Sequence, residues 1–398
     1  MPTLQTIRDF NPEGKKILLR VDFNVPQDEQ GNITDDNRIV KALPTIKYLL
    51  EKGARLIIMS HLGRPDGQVV EKLRLDPIAQ RLSELLNTSV QKLSETIGDR
   101  VKKETENLGN GEMLMLENTR FYPGEEANDA EFIKELAELG EVFVNDGFGV
   151  SHRAHATSTG LANVLPAYAG FLIEAEMNAL QPLMGEPKQP FTVIFGGAKI
   201  KDKIGMIDQF ISKAQNILIG GGLANTFIAA LGHEVGQSLC EKDKLDLAKE
   251  ILAKATSPSQ IVLPTDVVIA REISNTAATE VVAINAVPAD AKILDAGPQT
   301  VEAFSTIIAN SATILWNGPL GLTEFTPFQH GTSNVAQAVA DAKKTSGAFS
   351  VLGGGDTAEV LKTLGFHDED FGHISTGGGA SLEFLSGKKL PGIEVLYR

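Results

Sequence analysis

Short unbroken apolar runs recur along the chain, separated by segments with helical spacing. In the first half Lys16–Val21, Arg55–Met59, Glu112–Leu116 and Glu141–Val144 read as strands. In the second half Thr192–Phe195, Asn216–Ile219, Gln260–Leu263, Thr313–Trp316 and Phe349–Leu352 do so. Continuous rather than alternating apolarity suits strands covered on both faces, as in parallel sheets. Between them, Phe132, Ile133, Leu136 and Leu139 share one stripe of a helix over Ala130–Leu139. This alternation predicts a doubly wound parallel α/β fold, built twice.

The divide is expected at the amphipathic stretch Tyr168–Met184 and the proline-rich segment Gly185–Pro190, a helix followed by a stiff linker. That gives a first domain over 1–170, an interdomain helix and linker over 171–187 and a second domain over 188–389. The length of 398 residues suits two domains.

A net charge of −14 argues against nucleic acid or an anionic membrane as partner. The single cysteine, Cys240, permits no internal disulfide and suggests a reducing compartment. The first residues lack a basic stretch followed by an apolar one, so no signal peptide is expected, and the apolar runs are too short to span a bilayer. A cytoplasmic protein is therefore expected. Arginine is unevenly placed: ten of the twelve precede residue 186, while fifteen lysines follow it.

In open α/β sheets ligands bind beyond the carboxyl ends of the strands. In the first half these ends read Asp22-Phe23-Asn24, Ser60-His61-Leu62-Gly63-Arg64-Pro65, Glu117-Asn118-Thr119-Arg120-Phe121 and Asn145-Asp146-Gly147-Phe148-Gly149, the last running on to His152-Arg153-Ala154-His155. Arg38, Arg64, Arg120 and Arg153 are expected to gather there. In an acidic chain they predict a small polyanionic ligand, since guanidinium forks pair with phosphate and carboxylate. His152 and His155 lack partners at metal-ligand spacing and are read as hydrogen-bonding or packing residues.

The second half ends its strands in glycine: Gly196-Gly197-Ala198-Lys199, Gly220-Gly221-Gly222, Gly353-Gly354-Gly355-Asp356-Thr357 and Gly377-Gly378-Gly379, each before an expected helix. Glycine lets backbone N–H groups approach a phosphate, and a helix N-terminus adds partial positive charge. Lys199 and Lys203, four apart, are expected on one face of a helix opening. Asp356 suits Mg²⁺, which takes one or two carboxylates plus phosphate oxygens. The fingerprints of P-loop enzymes, dinucleotide folds and zinc sites do not occur, nor does the H-R-D element of protein kinases. The residues alone thus suggest an anion site in one half and a nucleotide-like site in the other.

The strings Arg20-Val21-Asp22-Phe23-Asn24-Val25-Pro26, Ser60–Pro65, Leu116–Phe121, His152–His155, Gly196–Lys199 through Asp202-Lys203, Trp316-Asn317-Gly318-Pro319, Gly353–Thr357 and Ser375–Ala380 resemble the phosphoglycerate kinase family in order and spacing across essentially the whole chain. The resemblance implies two domains facing each other across a cleft and joined by a hinge helix, with the tail 390–398 returning to the first domain. It implies reversible phosphoryl transfer from 1,3-bisphosphoglycerate to MgADP, giving 3-phosphoglycerate and MgATP, by a monomer. Asp22, Phe23, Asn24, Arg38, His61, Leu62, Gly63, Arg64, Arg120 and Arg153 match the family's 3-phosphoglycerate site. Lys199, Lys203, Glu324, Gly353, Gly354, Gly355, Asp356 and Thr357 match its nucleotide site, with Asp356 beside Mg²⁺ and Glu324 near the ribose. Arg38, Lys199 and the backbone at Gly355 and Gly378 would neutralise charge on the transferring group. Leu322-Thr323 stands where the family more often has an aromatic residue, and Gly147 where alanine is common. A binding protein that had lost one site, or a nicotinamide dehydrogenase, are the rival readings. Both charged sets are complete, and the dinucleotide fingerprint is missing.

Overall fold

The computed structural model describes residues 2–201, 203–255 and 260–398, without the side chains of Gln260 and Asp356. The chain divides into two compact units, Met1–Asn178 with Lys389–Arg398, and Ala179–Lys388. The boundary falls within the helix Phe171–Met184. Among the described residues no helix is long and apolar enough to cross a membrane.

The first unit is built on β1 (Lys16–Arg20), β2 (Arg55–Met59), β3 (Gln91–Lys92), β4 (Met113–Met115), β5 (Val142–Asn145) and β6 (Ala167–Ala169). They pair in the order β3-β4-β2-β1-β5-β6, all parallel. β1 and β2 are buried along nearly their whole length, as their unbroken apolarity requires. Ile17, Leu19, Ile39, Ile46, Leu56 and Ile78 form the core between this sheet and the helices Asn37–Glu51 and Asp76–Leu86. Each such side chain, fully buried, contributes roughly 1.5–3 kcal/mol. Tyr168, expected to open the long helix, lies in β6, and the helix starts at Phe171. In the C-terminal tail the Gly392 N–H donates to the Ser151 carbonyl at 2.9 Å and the Thr3 N–H to that of Arg398 at 2.7 Å.

The second unit carries β7 (Phe191–Phe195), β8 (Asn216–Ile219), β9 (Gln260–Val262), β10 (Asp266–Ala270), β11 (Glu280–Ala283), β12 (Lys292–Ala296), β13 (Thr313–Asn317), β14 (Phe349–Gly353) and β15 (His373–Ile374). Six of them form a parallel sheet ordered β15-β14-β13-β7-β8-β9. Ile194, Leu218, Phe304, Trp316, Val335 and Leu352 fill its main core. The other three form an antiparallel sheet ordered β11-β10-β12, which the sequence reading did not contain.

In each parallel sheet the strand order reverses beside the first strand: β2 and β5 flank β1, and β8 and β13 flank β7. At such switch points the loops after neighbouring strands diverge and leave a crevice for a ligand.

Candidate active site

In the first unit the loops after β1, β2, β4 and β5 interlock through charged groups. Arg20 closes β1 and is only 1% exposed. Its Nη1 donates to Thr119 Oγ1 at 3.2 Å and its Nη2 to His61 Nδ1 at 3.0 Å. Asp22 Oδ2 accepts from Arg38 Nη1, and Asp22 Oδ1 lies 3.8 Å from His61 Nδ1. Gly63 N–H donates to Asn24 Oδ1 at 2.8 Å, and Arg120 Nη1 donates to the Gly63 carbonyl at 2.9 Å. Phe23 N–H donates to Ser60 Oγ at 3.0 Å, while Asn118 Nδ2 holds the Leu62 carbonyl at 2.8 Å. Arg153 Nε donates to His152 Nε2 at 3.2 Å. Gly149 carries the last loop past the acid: a Cβ there would stand 2.5 Å from Asp22 Oδ2.

Burial and mutual repulsion set the electrostatics. His61 is held well below its ordinary pKa by burial first, then by Arg20, Arg120, Arg38 and His155. His155 is lowered to about 4 by burial and then by Arg120, Arg20 and Arg153. Burial also lowers Arg120, with Arg20 beside it. Both rings are therefore neutral at physiological pH, and the positive field comes from guanidinium groups. Against this field stand Asp22, the wholly buried Glu125, which accepts from Thr157 Oγ1 at 2.5 Å, and Glu126, which pairs with Arg120 at 3.1 Å. Such a set can hold a phosphate or carboxylate by several charge-assisted hydrogen bonds.

The structure brings Asp22, Phe23, Asn24, Arg38, His61, Leu62, Gly63 and Arg120 into one network. Two placements differ from the sequence reading. Arg38 is not at a strand end: it lies in the first turn of the helix Asn37–Glu51 and reaches Asp22 from there. Arg64 is exposed, whereas Arg120 is buried and Arg38 and Arg153 are half-buried. Arg20 was quoted in the sequence strings but given no role. A basic residue inside an apolar strand was its one sequence signal.

In the second unit the first two glycine clusters serve loop packing. Gly196 N–H donates to the Asn317 carbonyl at 2.9 Å, Gly197 N–H to that of Pro319 at 2.7 Å, and Gly220 N–H to that of Phe195 at 2.8 Å. A Cβ on Gly196 would come within 2.2 Å of the Pro319 oxygen. These N–H groups are thus spent inside the protein rather than offered to a phosphate. Gly354, with φ +95°, caps the helix Gly355–Thr363, while Gly355 and Gly378 have open space where a side chain would project. Those turns are the ones that can admit a ligand closely.

Lys203 Nζ donates to Asn317 Oδ1, and Asn317 Nδ2 donates to the Gly353 carbonyl at 2.6 Å. Thr357 Oγ1 accepts from Gly318 N–H at 2.9 Å. The loops after β7, β13 and β14 are thereby joined. The helix after the first cluster starts only at Ile204, so Lys199 and Lys203 both precede it. Helical i,i+4 spacing does not bring them together, and Lys199 is exposed. Asp202 and the Asp356 side chain lie outside the described residues.

Beside these loops lies a cavity of about 810 Å³ whose lining includes Gly221, Leu239, Pro264, Leu294, Leu320 and Val360, with Glu324 also on its wall. Its mainly apolar lining and its size suit a planar heterocycle. β12 contributes Asp295, which is 2% exposed and raised to about 7 by burial although the N–H groups of Gly331, Ala296 and His330 donate to it. The family resemblance points to Glu324, whereas the apolar wall has no sequence signal because its residues carry no chemical label.

Residues 7–388 match the family model described as phosphoglycerate kinase. Among solved structures, the phosphoglycerate kinase of Coxiella burnetii is 37% identical, with 99% of each chain covered and a TM-score of 0.89. That of Pyrococcus horikoshii OT3 is 32% identical, covering 99% of this chain and 98% of its own, with a TM-score of 0.85. Sequence and fold agree over nearly the full length: the chain belongs to the phosphoglycerate kinase family and is an enzyme of glycolytic phosphoryl transfer.

Proposed function

We propose that the chain binds 3-phosphoglycerate or 1,3-bisphosphoglycerate on the guanidinium network of the first unit and MgADP or MgATP on the second. The carrying observation is the network of buried Arg20, Asp22, His61 and Arg120 with the half-buried Arg38 at the switch point of one sheet, with ligand-accessible helix starts at the strand ends of the other.

In the direction of ATP use the acceptor is a carboxylate, ionised at neutral pH and already nucleophilic, so no general base is needed. His61 and His155, neutral and facing guanidinium groups, suit hydrogen bonding instead. Rate then comes from alignment and from neutralising charge on the transferring phosphoryl oxygens. Arg38 and Lys199 take that role, with backbone N–H groups near Gly355 and Gly378. Asp22, Phe23, Asn24, Leu62, Gly63, Arg64 and Arg153 complete acceptor binding. Lys203 and the segment Gly353–Thr357 hold the nucleotide phosphates, Glu324 meets the ribose, and the cavity takes the base.

Mg²⁺ enters as part of the nucleotide substrate, with Asp356 as its protein carboxylate. Among the described residues no three metal-ligating side chains cluster, and a chain supplying one carboxylate to an ion already held by phosphates needs no such cluster. The single cysteine and the net charge of −14 are consistent with a cytoplasmic monomer whose partners are these small molecules.

A coupled assay tests the proposal. ATP- and 3-phosphoglycerate-dependent formation of 1,3-bisphosphoglycerate is expected. Hydrolysis of ATP without an acyl-phosphate product would overturn it.

A further inference from the structure

We propose that Arg20 is a positioning residue that locks His61 in the neutral tautomer with its proton on Nε2, so that the ring offers a fixed N–H donor to the anionic acceptor. The inference rests on the acceptor-site reading above and adds to it the form in which His61 acts.

A guanidinium carries five N–H donors and no acceptor, and it is not deprotonated in proteins. Arg20 Nη2 approaches His61 Nδ1 at 3.0 Å, so that nitrogen must be the one with the lone pair. A proton on Nδ1 would set N–H against N–H. Asp22 Oδ1, the carboxylate oxygen that pairs with this ring among the described residues, is 3.8 Å away and cannot rescue that form by a hydrogen bond. The neutral ring therefore carries its proton on Nε2.

Arg20 is in turn fixed. It ends β1, in register with Met59 and Asn145 on the flanking strands, and Nη1 is bound to Thr119 Oγ1. At 1% exposure its charge is answered by Asp22 and Glu125. Around His61, which is 2% exposed, stand Arg20, Arg38, Arg120 and His155 on the basic side and Asp22 on the acidic side. The three guanidinium groups resist a second proton on the ring, so the donor should persist through the working pH range without titrating.

Long-range ¹H–¹⁵N NMR on the full chain labelled at histidine reads the tautomer directly, with His61→Gln identifying the signals by their loss. The expected spectrum has a pyridine-type Nδ1 and a pyrrole-type Nε2, unchanged between about pH 5.5 and 8. A pyrrole-type or averaged Nδ1 overturns the proposal and leaves the acceptor site standing. Glutamine places an N–H near the Nε2 position and asparagine near Nδ1. His61→Asn is therefore expected to raise the KM for 3-phosphoglycerate about tenfold more than His61→Gln, the loss of a hydrogen bond to a charged group. Equal KM values would overturn the donor role even with the tautomer locked. In Arg20→Gln the Nδ1 signal should move toward an average of the two tautomers. If it does not, Arg20 is not the lock. Failure of the unaltered protein to bind 3-phosphoglycerate at all would instead sink the acceptor-site reading.

Discussion

Arg38 Nη1 is bound to the carboxylate of Asp22, joining the first turn of the helix Asn37–Glu51 to the loop that ends β1. One edge of the guanidinium is thus held while the side chain remains 34% exposed, leaving donors to face a transferring group. If that group is stabilised mainly in the transition state, Arg38→Ala should lower kcat by about 10³-fold or more, by analogy with transition-state arginines. Arg153→Ala should instead raise the KM for 3-phosphoglycerate. Steady-state kinetics decide, and a kcat for Arg38→Ala within about tenfold of the parent would contradict the role.

The link from Lys203 to Asn317 and on to the Gly353 carbonyl sets the lysine's direction at the proposed nucleotide site. Asn317 thereby fixes where the ammonium stands beside the Gly353–Thr357 segment, instead of leaving it on a mobile four-carbon stem. Asn317→Ala should weaken MgADP about tenfold while sparing 3-phosphoglycerate, since a mobile lysine must be ordered on binding. Equilibrium titration with MgADP checks this. An unchanged dissociation constant would show that Asn317 does not position Lys203.

Stability should fall with rising pH through one buried acid. Asp146 is raised from 3.8 to about 7 by burial, although Thr45 and the N–H groups of Ile173 and Leu172 donate to it. The folded state therefore binds a proton more tightly than the unfolded chain. Its contribution is fully present below about pH 3.8 and is lost as pH rises through about 7. Asn keeps an oxygen for Leu172 N–H, which donates to Asp146 at 2.9 Å, but does not titrate. The stability of Asp146→Asn relative to the parent should rise across that window in denaturant unfolding. A difference independent of pH would show that Asp146 does not titrate there.

The parallel sheets are legible in the sequence because buried strands leave unbroken apolar runs that few other structures need. The antiparallel sheet escapes notice because its partly exposed strand Glu280–Ala283 is short and polar at its start. Two-residue β3 and three-residue β6 carry no periodicity at all. Charged residues announce themselves by type, so Arg38, His61 and Arg120 stand out as site candidates before any fold is known. Glycine is ambiguous: Gly196 and Gly220 let loops touch, while Gly355 and Gly378 leave space for a ligand, and only coordinates separate the two uses. The lysine pair fails for a related reason, since helical spacing was assumed across a turn that precedes the helix.

Closure of the two units on each other is expected during turnover. In-line transfer needs the reacting atoms within roughly 3–3.5 Å, and the proposed sites belong to different units. A ligand shifts a conformational equilibrium only by its differential affinity for the two states, so one that meets a single unit should do little. Small-angle scattering should show a fall in radius of gyration with 3-phosphoglycerate plus a non-reactive MgATP analogue, and little change with either alone. A ternary complex that scatters like a free protein not already closed would contradict hinging about 168–190.

Acceptor and nucleotide should be held by separate sets of residues in separate units. Calorimetric titration of each ligand into Arg153→Ala and Lys203→Ala measures this. Arg153→Ala should lose affinity for 3-phosphoglycerate and keep MgADP nearly unchanged, and Lys203→Ala should do the reverse. Large losses for both ligands in either variant, with its fold intact, would contradict the two-site assignment.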